Sequence, residues 1–320
     1  MIIKRHSISL FKLIFLIDTI IPKKVKPIQN LLVTLLGIFL LASCSFNSKF
    51  FYPSKLPKAN FYLTTKFDTA FVNIDKTTFQ PTYLKNKKDT IKFDYTIESV
   101  IFTSTNGNKL NGWILKPRNQ KIIGTLLHFH GSGANLFFHS KVIAPLIKYG
   151  FQIFTFDYSE FGYSEGIANR KNTLADAFSA LDYVKKREDM KNTKLIFYGQ
   201  SYGGHLATVV ASQRQNEIDG LVLEGAFSSH RDEASYTVPF WGNIVRQGIC
   251  AKNEIKKYHK QLLIIHSKED KRTPLYMGKK IFDNANSPKE FYEVDKPHIE
   301  ALQFYSNEIS IKIKKMCNIK

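Results

Sequence analysis

From about residue 90 onward, short apolar runs alternate with longer stretches in which apolar residues recur every three or four positions. The short runs have strand length and are bounded by turn residues; the longer stretches have helical spacing. Residues 96–104 and 110–116 are predicted strands, separated by Asn106-Gly107-Asn108, a hairpin signal. Residues 122–130, 152–157, 195–198, 219–224, 261–266 and 289–294 follow as further strands. Between them, residues 141–149 have helical spacing and stop at Gly150, a C-cap residue. Residues 173–186 place Leu174, Ala177, Leu181 and Val184 on one face, with Thr173 as the expected N-cap. Residues 205–211 are apolar enough for a buried helix, and residues 299–315 form a closing one. Two antiparallel strands followed by strand–helix alternation predict an α/β fold, with a mostly parallel sheet covered on both faces.

The first ninety residues follow a different pattern. Lys23, Lys24 and Lys26 precede an apolar run over residues 31–41, which is the layout of a secretory signal and short for a membrane span. That run ends in Leu41-Ala42-Ser43-Cys44, which resembles the lipobox of bacterial lipoproteins. The resemblance implies removal of residues 1–43 and lipidation of Cys44, with the domain held at the bacterial cell envelope outside the cytoplasm. An earlier apolar run, residues 8–21, is broken by Lys12 and Asp18 and makes the leader long; the residues before about Ile20 are expected to come from a start codon called too far upstream. Residues 45–57 read as a linker, and residues 60–88 are polar and aromatic with no assignable pattern. The expected organisation is therefore a leader over 1–43, a lipidated cysteine with linker and extension over 44–90, and a catalytic domain over 91–320.

Composition narrows the function class. With 320 residues, 43% of them hydrophobic, one large core is within reach. A net charge of +19 invites a nucleic-acid reading, but the basic residues are mostly lysines spread along the chain, with no basic stripe or zinc-finger spacing. No nucleic-acid partner is expected. Cys44, Cys250 and Cys317 have no metal or disulfide spacing, so neither a metal nor another cofactor is expected.

The stretch that carries chemistry is Gly199-Gln200-Ser201-Tyr202-Gly203, a G-x-S-x-G motif between a predicted strand and a predicted helix. In that setting the glycines let strand and helix pass close around an exposed serine, above the free N–H groups of a helix N-terminus. A serine hydroxyl needs a base within reach, and the base needs an acid to orient it.

Eight strands with this motif after the fifth resemble the α/β-hydrolase family over residues 91–320. Three further stretches carry the resemblance. His130-Gly131-Ser132-Gly133 is similar to the family's oxyanion loop, residues 157–166 to the loop after the fourth strand, and residues 266–274 to the loop that bears the acid. The subgroup most resembled is the lipoprotein-type serine hydrolases with a serine-aminopeptidase-like domain. The resemblance implies an α/β-hydrolase fold with an eight-stranded sheet and a small lid at about 226–260, where Phe227, Tyr236, Phe240 and Trp241 line either a pocket or ordinary core. It implies the chain order Ser, Asp, His, which Ser201, Asp270 and His298 follow, with Glu269 as the alternative acid. His205, His266, His128 and His130 are the weaker candidates for the base. Tyr202 and Ser132 are the expected oxyanion-hole residues, through their N–H groups. Ser159-Glu160 replace the Arg-Gly usual after the fourth strand, so no substrate role passes from that arginine. The expected activity is cleavage of carboxylic esters, then acyl thioesters, then short peptides, on a small-molecule or acyl substrate. The alternative is a surface binding module that keeps the fold without the chemistry.

Overall fold

Alternation along the strands builds two cores at once. In the strand β11 (Lys194–Gln200), Leu195 and Phe197 enter one apolar cluster while Ile196 and Tyr198 enter the other, on opposite faces of the sheet. The computed structural model describes residues 30–35, 37, 50–57, 60–64, 69–239, 242, 245 and 247–320. The chain divides into Met1–Phe46 and Asn47–Lys320. In the first unit the described residues, 30–35 and 37, are helical; Cys44 lies outside the described residues. No helix among the described residues is long and apolar enough to cross a membrane.

The second unit begins with β1 (Tyr52–Pro53), then β2 (Phe61–Thr64), β3 (Thr69–Ile74), β4 (Pro81–Lys85) and β5 (Asp89–Thr90). β2 to β5 form a four-stranded antiparallel sheet, so the stretch without an assignable pattern is a small sheet of its own. Its Val72, Ile74 and Tyr83 join the second apolar cluster. The main sheet comprises β6 (Tyr95–Thr103), β7 (Lys109–Pro117), β8 (Gly124–Phe129), β10 (Phe151–Phe156), β11, β12 (Gly220–Glu224), β13 (Gln261–Ser267) and β14 (Lys289–Val294). These eight strands lie in the order β14-β13-β12-β11-β8-β10-β7-β6, and β7 alone among them runs antiparallel to its neighbours. A two-residue strand, β9 (Gly133–Ala134), pairs with β1 outside this sheet.

Helices cover both faces. On one face lie α2 (Arg170–Lys186), α3 (Tyr202–Arg214) and α6 (Leu275–Asn284); on the other lie α1 (Leu136–Ile143) and α7 (Ala301–Met316). Two short helices, α4 (His230–Thr237) and α5 (Ala251–Glu254), occupy the region expected as a lid. Helix boundaries differ from the sequence expectation in two places. α2 begins three residues before Thr173: Asn169 is the N-cap, its side chain accepting from Asn172 N, and Thr173 lies inside the helix. The helix expected at 141–149 begins at Leu136, capped by Asn135, and its later part is the 3-10 turn Ala144–Tyr149, which ends at Gly150 in the left-handed region. In both cases a capping asparagine sits ahead of the first periodic apolar residue and fixes the start.

Residues 50–57, expected as a linker, are docked on the main domain. Tyr52 N donates to Ser132 O at 2.8 Å, Ser54 N to Ala134 O at 3.2 Å and Leu56 N to Gly162 O at 3.3 Å. The segment is a strap across the loop ends of the sheet, held by backbone hydrogen bonds.

Candidate active site

The turn after β11 holds Ser201 at φ 54° and ψ −119°. A non-glycine residue in that region is strained and persists only where its surroundings fix it. Three features do so here. Ser201 N donates to Glu224 O at 2.9 Å, at the end of the neighbouring strand. Gly204 N donates back to Ser201 O at 3.0 Å. The first turn of α3 passes so close to the end of β8 that a β-carbon on Gly203 would overlap the Phe129 carbonyl group and the His130 oxygen. Ser201 itself is 6% exposed, at the C-terminal edge of the sheet.

Asp270 and His298 come from the loops after β13 and β14 and meet each other. His298 Nδ1 donates to Asp270 Oδ2 at 2.6 Å. Asp270 Oδ1 accepts from Arg272 N at 2.9 Å and from Thr273 N at 2.8 Å. The Thr273 hydroxyl donates to Asp270 Oδ2 at 2.9 Å, and it lies 2.8 Å from Gly225 O. Burial pushes the Asp270 carboxyl up. The His298 hydrogen bond and charge, with the two N–H donors, outweigh burial and hold the group below the usual carboxylate range. Glu269, one residue earlier, is exposed and makes no such pair among the described residues.

Gly225 links this pair to the serine. It follows Glu224, which holds Ser201 N, and a β-carbon on it would lie 3.2 Å from the His298 ring and 3.3 Å from Asp270 Oδ2. Ser201 and the Asp270–His298 pair thus stand on opposite sides of one short turn. No hydrogen bond joins Ser201 Oγ to His298 among the described residues; contacts of this kind often tighten only with substrate bound.

The other wall is the loop after β8. A β-carbon on Gly131 would stand 3.6 Å from Ser201 Cβ, so this loop lies against the Ser201 turn. His130 is fully buried, stacks on His139 at 4.4 Å and donates from Nδ1 to Gly131 O at 2.7 Å. His139 Nε2 donates to Gly133 O at 2.8 Å, and Tyr158 OH to His130 O at 2.9 Å. Burial drives the His130 imidazole down to about 4, so both ring systems are neutral scaffolding at neutral pH. The strap completes the loop's support: it bonds Ser132 O, and buried Phe51 packs edge-on against Tyr202 at 4.9 Å. The Ser132 and Tyr202 N–H groups have no hydrogen-bond partner among the described residues.

The remaining histidines are engaged elsewhere. His205 stacks on Phe227 at 4.9 Å, and burial pushes it down to about 3. His266 Nε2 donates to Thr273 O at 2.7 Å. His128 Nε2 donates to Gln200 Oε1 at 3.0 Å. Of the aromatic residues expected to line a lid, Phe227 is buried and Tyr236 is exposed with its hydroxyl donating to Lys271 O; Phe240 and Trp241 lie outside the described residues. Ser159 and Glu160 serve the loop after β10: Ser159 N donates to Asp176 Oδ2 at 2.7 Å, and Glu160 Oε2 accepts from Ala168 N at 2.7 Å.

Sequence reasoning passes over Glu224. This buried carboxylate accepts from Tyr198 OH at 2.8 Å, from Gln200 Nε2 at 2.7 Å and from Ala301 N at 3.0 Å. Burial raises its carboxyl, and the hydrogen bonds offset that only in part. It ties the residues ahead of Ser201 to the start of α7, three residues after His298. The signal available in the sequence is a carboxylate closing the apolar run Leu221-Val222-Leu223.

A family model for the alpha/beta hydrolase fold matches residues 124–306. The uncharacterized protein YfhR of Escherichia coli strain K12 is 30% identical over 213 residues, which cover 65% of this chain and 75% of that one. Lysophosphatidylserine lipase ABHD12 of Gallus gallus is 27% identical over 169 residues, 47% of this chain and 43% of its own. Among solved structures, the Pyrococcus furiosus esterase Pf2001 has the same fold, with a TM-score of 0.59 and 18% identity, over 70% of this chain and 91% of that one. Strand order, the strained turn after β11 and the family match agree, and the chain belongs to the α/β-hydrolase fold family.

Proposed function

We propose that this protein is a serine hydrolase that cleaves carboxylic esters through an acyl-enzyme. The observation that carries the reading is the 2.6 Å bond from His298 to Asp270, set across Gly225 from a strained Ser201. Ser201 Oγ attacks the ester carbonyl carbon while His298 Nε2 takes the hydroxyl proton. Asp270 holds the imidazole with Nε2 facing the serine and stabilises the imidazolium. The carbonyl oxygen gathers negative charge and is met by the Ser132 and Tyr202 N–H groups, each worth on the order of a hundredfold or more in rate. Collapse of the tetrahedral species expels the alkoxide, which takes the proton back from His298. Water then repeats the sequence on the acyl-enzyme and releases the acid and Ser201. The esterase and lipase named among its relatives and structural neighbours support this class of reaction.

The test is covalent. The protein is incubated with a fluorophosphonate, digested and mapped by mass spectrometry. A single adduct on the peptide carrying Ser201 is expected. A folded protein that takes no adduct overturns the reading in favour of a binding module.

Lipidation of Cys44 at the cell envelope belongs to the same proposal and is supported by Leu41-Ala42-Ser43-Cys44. Expressed in a bacterial host, the wild type is expected to incorporate labelled palmitate and to partition into detergent. Incorporation that persists in Cys44→Ser would remove this part.

A further inference from the structure

The residue after His298 is held in strain, as Ser201 is. Ile299 stands at φ 54°, where a β-branched side chain persists only if its surroundings fix it. Within its turn Glu300 N donates to Pro297 O at 3.2 Å, and the chain then enters α7 at Ala301. Glu300 is the N-cap of that helix, but its side chain makes no capping hydrogen bond. The Ala301 N–H donates instead to Glu224 Oε1 at 3.0 Å, at the end of β12. A carboxylate at a helix N-terminus satisfies a free N–H and suits the helix dipole. Packing does not fix the turn from this side: a cavity of about 10 Å³ borders Glu224, Asp270, Pro297 and Ile299. Glu224 itself is 2% exposed, and its second oxygen is pinned by Tyr198 OH and Gln200 Nε2 on β11.

One residue therefore braces two strained turns, that of Ser201 through its backbone carbonyl and that of His298 through its carboxylate. We propose that Glu224 is a positioning residue, whose carboxylate keeps His298 in line with Ser201 and touches neither the substrate nor the reacting atoms. The roles of nucleophile and base rest on the serine-hydrolase reading; the braced turn rests on geometry alone. Without the Glu224 acceptor, Ile299 relaxes out of the left-handed region and carries the His298 ring with it. The Asp270 bond restrains that ring at Nδ1, so Nε2 is the atom displaced. A displacement of about 1 Å at a reacting group costs about a hundredfold in rate, while the surface that binds the ester is untouched.

Hydrolysis of p-nitrophenyl acetate by the full-length protein is compared with that by Glu224→Leu, which removes the acceptor at similar volume, and Glu224→Gln, which keeps one. Glu224→Leu is expected to lower kcat about a hundredfold and to change KM by less than about threefold. Glu224→Gln is expected to stay within about fivefold of wild type. Added to His298→Ala, Glu224→Leu is expected to cost nothing further, because the carboxylate acts through His298. A general folding defect would lower both backgrounds alike. Ile309→Val, a buried trimming on α7, controls for lost stability and is expected to keep wild-type kcat. A Glu224→Leu kcat within about threefold of wild type, or an equal loss in the His298→Ala background, overturns the proposal. If Glu224→Leu fails to fold, Glu224→Gln decides: a fall of about a hundredfold or more there overturns it. A further readout needs no turnover. The His298 Nδ1 proton, donated to Asp270 across 2.6 Å, gives a downfield proton resonance that is assigned by its loss in His298→Ala. It is expected to persist in Glu224→Gln and to shift or broaden in Glu224→Leu; an unchanged resonance overturns the positioning role. A wild type that takes no fluorophosphonate and hydrolyses no ester sinks the hydrolase reading, and the resonance still decides whether Glu224 holds the turn.

Discussion

Replacing Ser201 by alanine is expected to lower kcat toward p-nitrophenyl acetate about 10⁵–10⁶-fold with little change in KM. The oxyanion donors and the binding surface remain, and these alone leave a residual acceleration of about 10³–10⁴ over water. Asp270→Asn is expected to lower kcat about 10⁴-fold, because an amide at that position stabilises neither the reactive tautomer nor the imidazolium. The double variant should be no slower than Ser201→Ala, since the two groups act in one step. Steady-state kinetics, with circular dichroism to confirm folding, measure all three. More than about 1% of wild-type kcat in Ser201→Ala would remove Ser201 from the reaction. A separate readout follows from the lowered Asp270 carboxyl. A carboxylate whose folded pKa is depressed contributes stability above its unfolded value and loses it as pH falls through the folded one. Wild type should therefore be more stable than Asp270→Asn at neutral pH, and urea unfolding of the two should converge in strong acid.

Gly203→Ala is expected to cost more than about 4 kcal/mol, enough to prevent accumulation of folded protein when total stability is about 5–15 kcal/mol. Helix propensity points the other way, because alanine in a helix is favoured over glycine by about 1 kcal/mol. Packing decides the sign. The new methyl would enter the Phe129 carbonyl, which belongs to a central strand and is fixed by its ladder. Gly133→Ala is the matched control: among the described residues its methyl would meet only Tyr52, at 3.8 Å, so the expected cost is about 1 kcal/mol or less. Urea titrations of both variants give the comparison. A Gly203→Ala protein as stable as wild type would mean that strand and helix separate more easily than their contact implies.

The central strands β8, β10, β11, β12 and β13 are legible because each is a short apolar run buried on both faces, and such runs need no partner to be recognised; the edge strands β6 and β14 are only partly buried and are read from their residue types and bounding turns. Their order places Ser201, Asp270 and His298 at one edge, since parallel strands end on the same side. The strap over 50–57 leaves no comparable trace. Its contacts are made by the N–H groups of Tyr52, Ser54 and Leu56, which any residue but proline supplies. The sheet β2–β5 is hidden for another reason: its strands are two to six residues long and only a few of their positions, such as Val72, Ile74 and Tyr83, are buried among exposed and half-buried ones. The start of α2 was displaced by its polar first turn, Arg170-Lys171-Asn172, which carries no apolar period to mark it. Glu224 is silent because its partners come from β11 and α7, which only the fold brings together.

The strap also sets where the chain can be trimmed. A recombinant form begun at residue 91, where the long antiparallel strands approach, would keep Ser201, Asp270 and His298. It would lack Phe51 against Tyr202 and the Tyr52 N–H on Ser132 O. On the proposed serine-hydrolase reading, such a protein would carry the triad side chains and still leave the Ser132 loop without the strap's support. Weak ester hydrolysis by that form is then expected to reflect the missing support and not the choice of substrate. Retaining the chain from Asn47 avoids that confusion, because the second unit starts there.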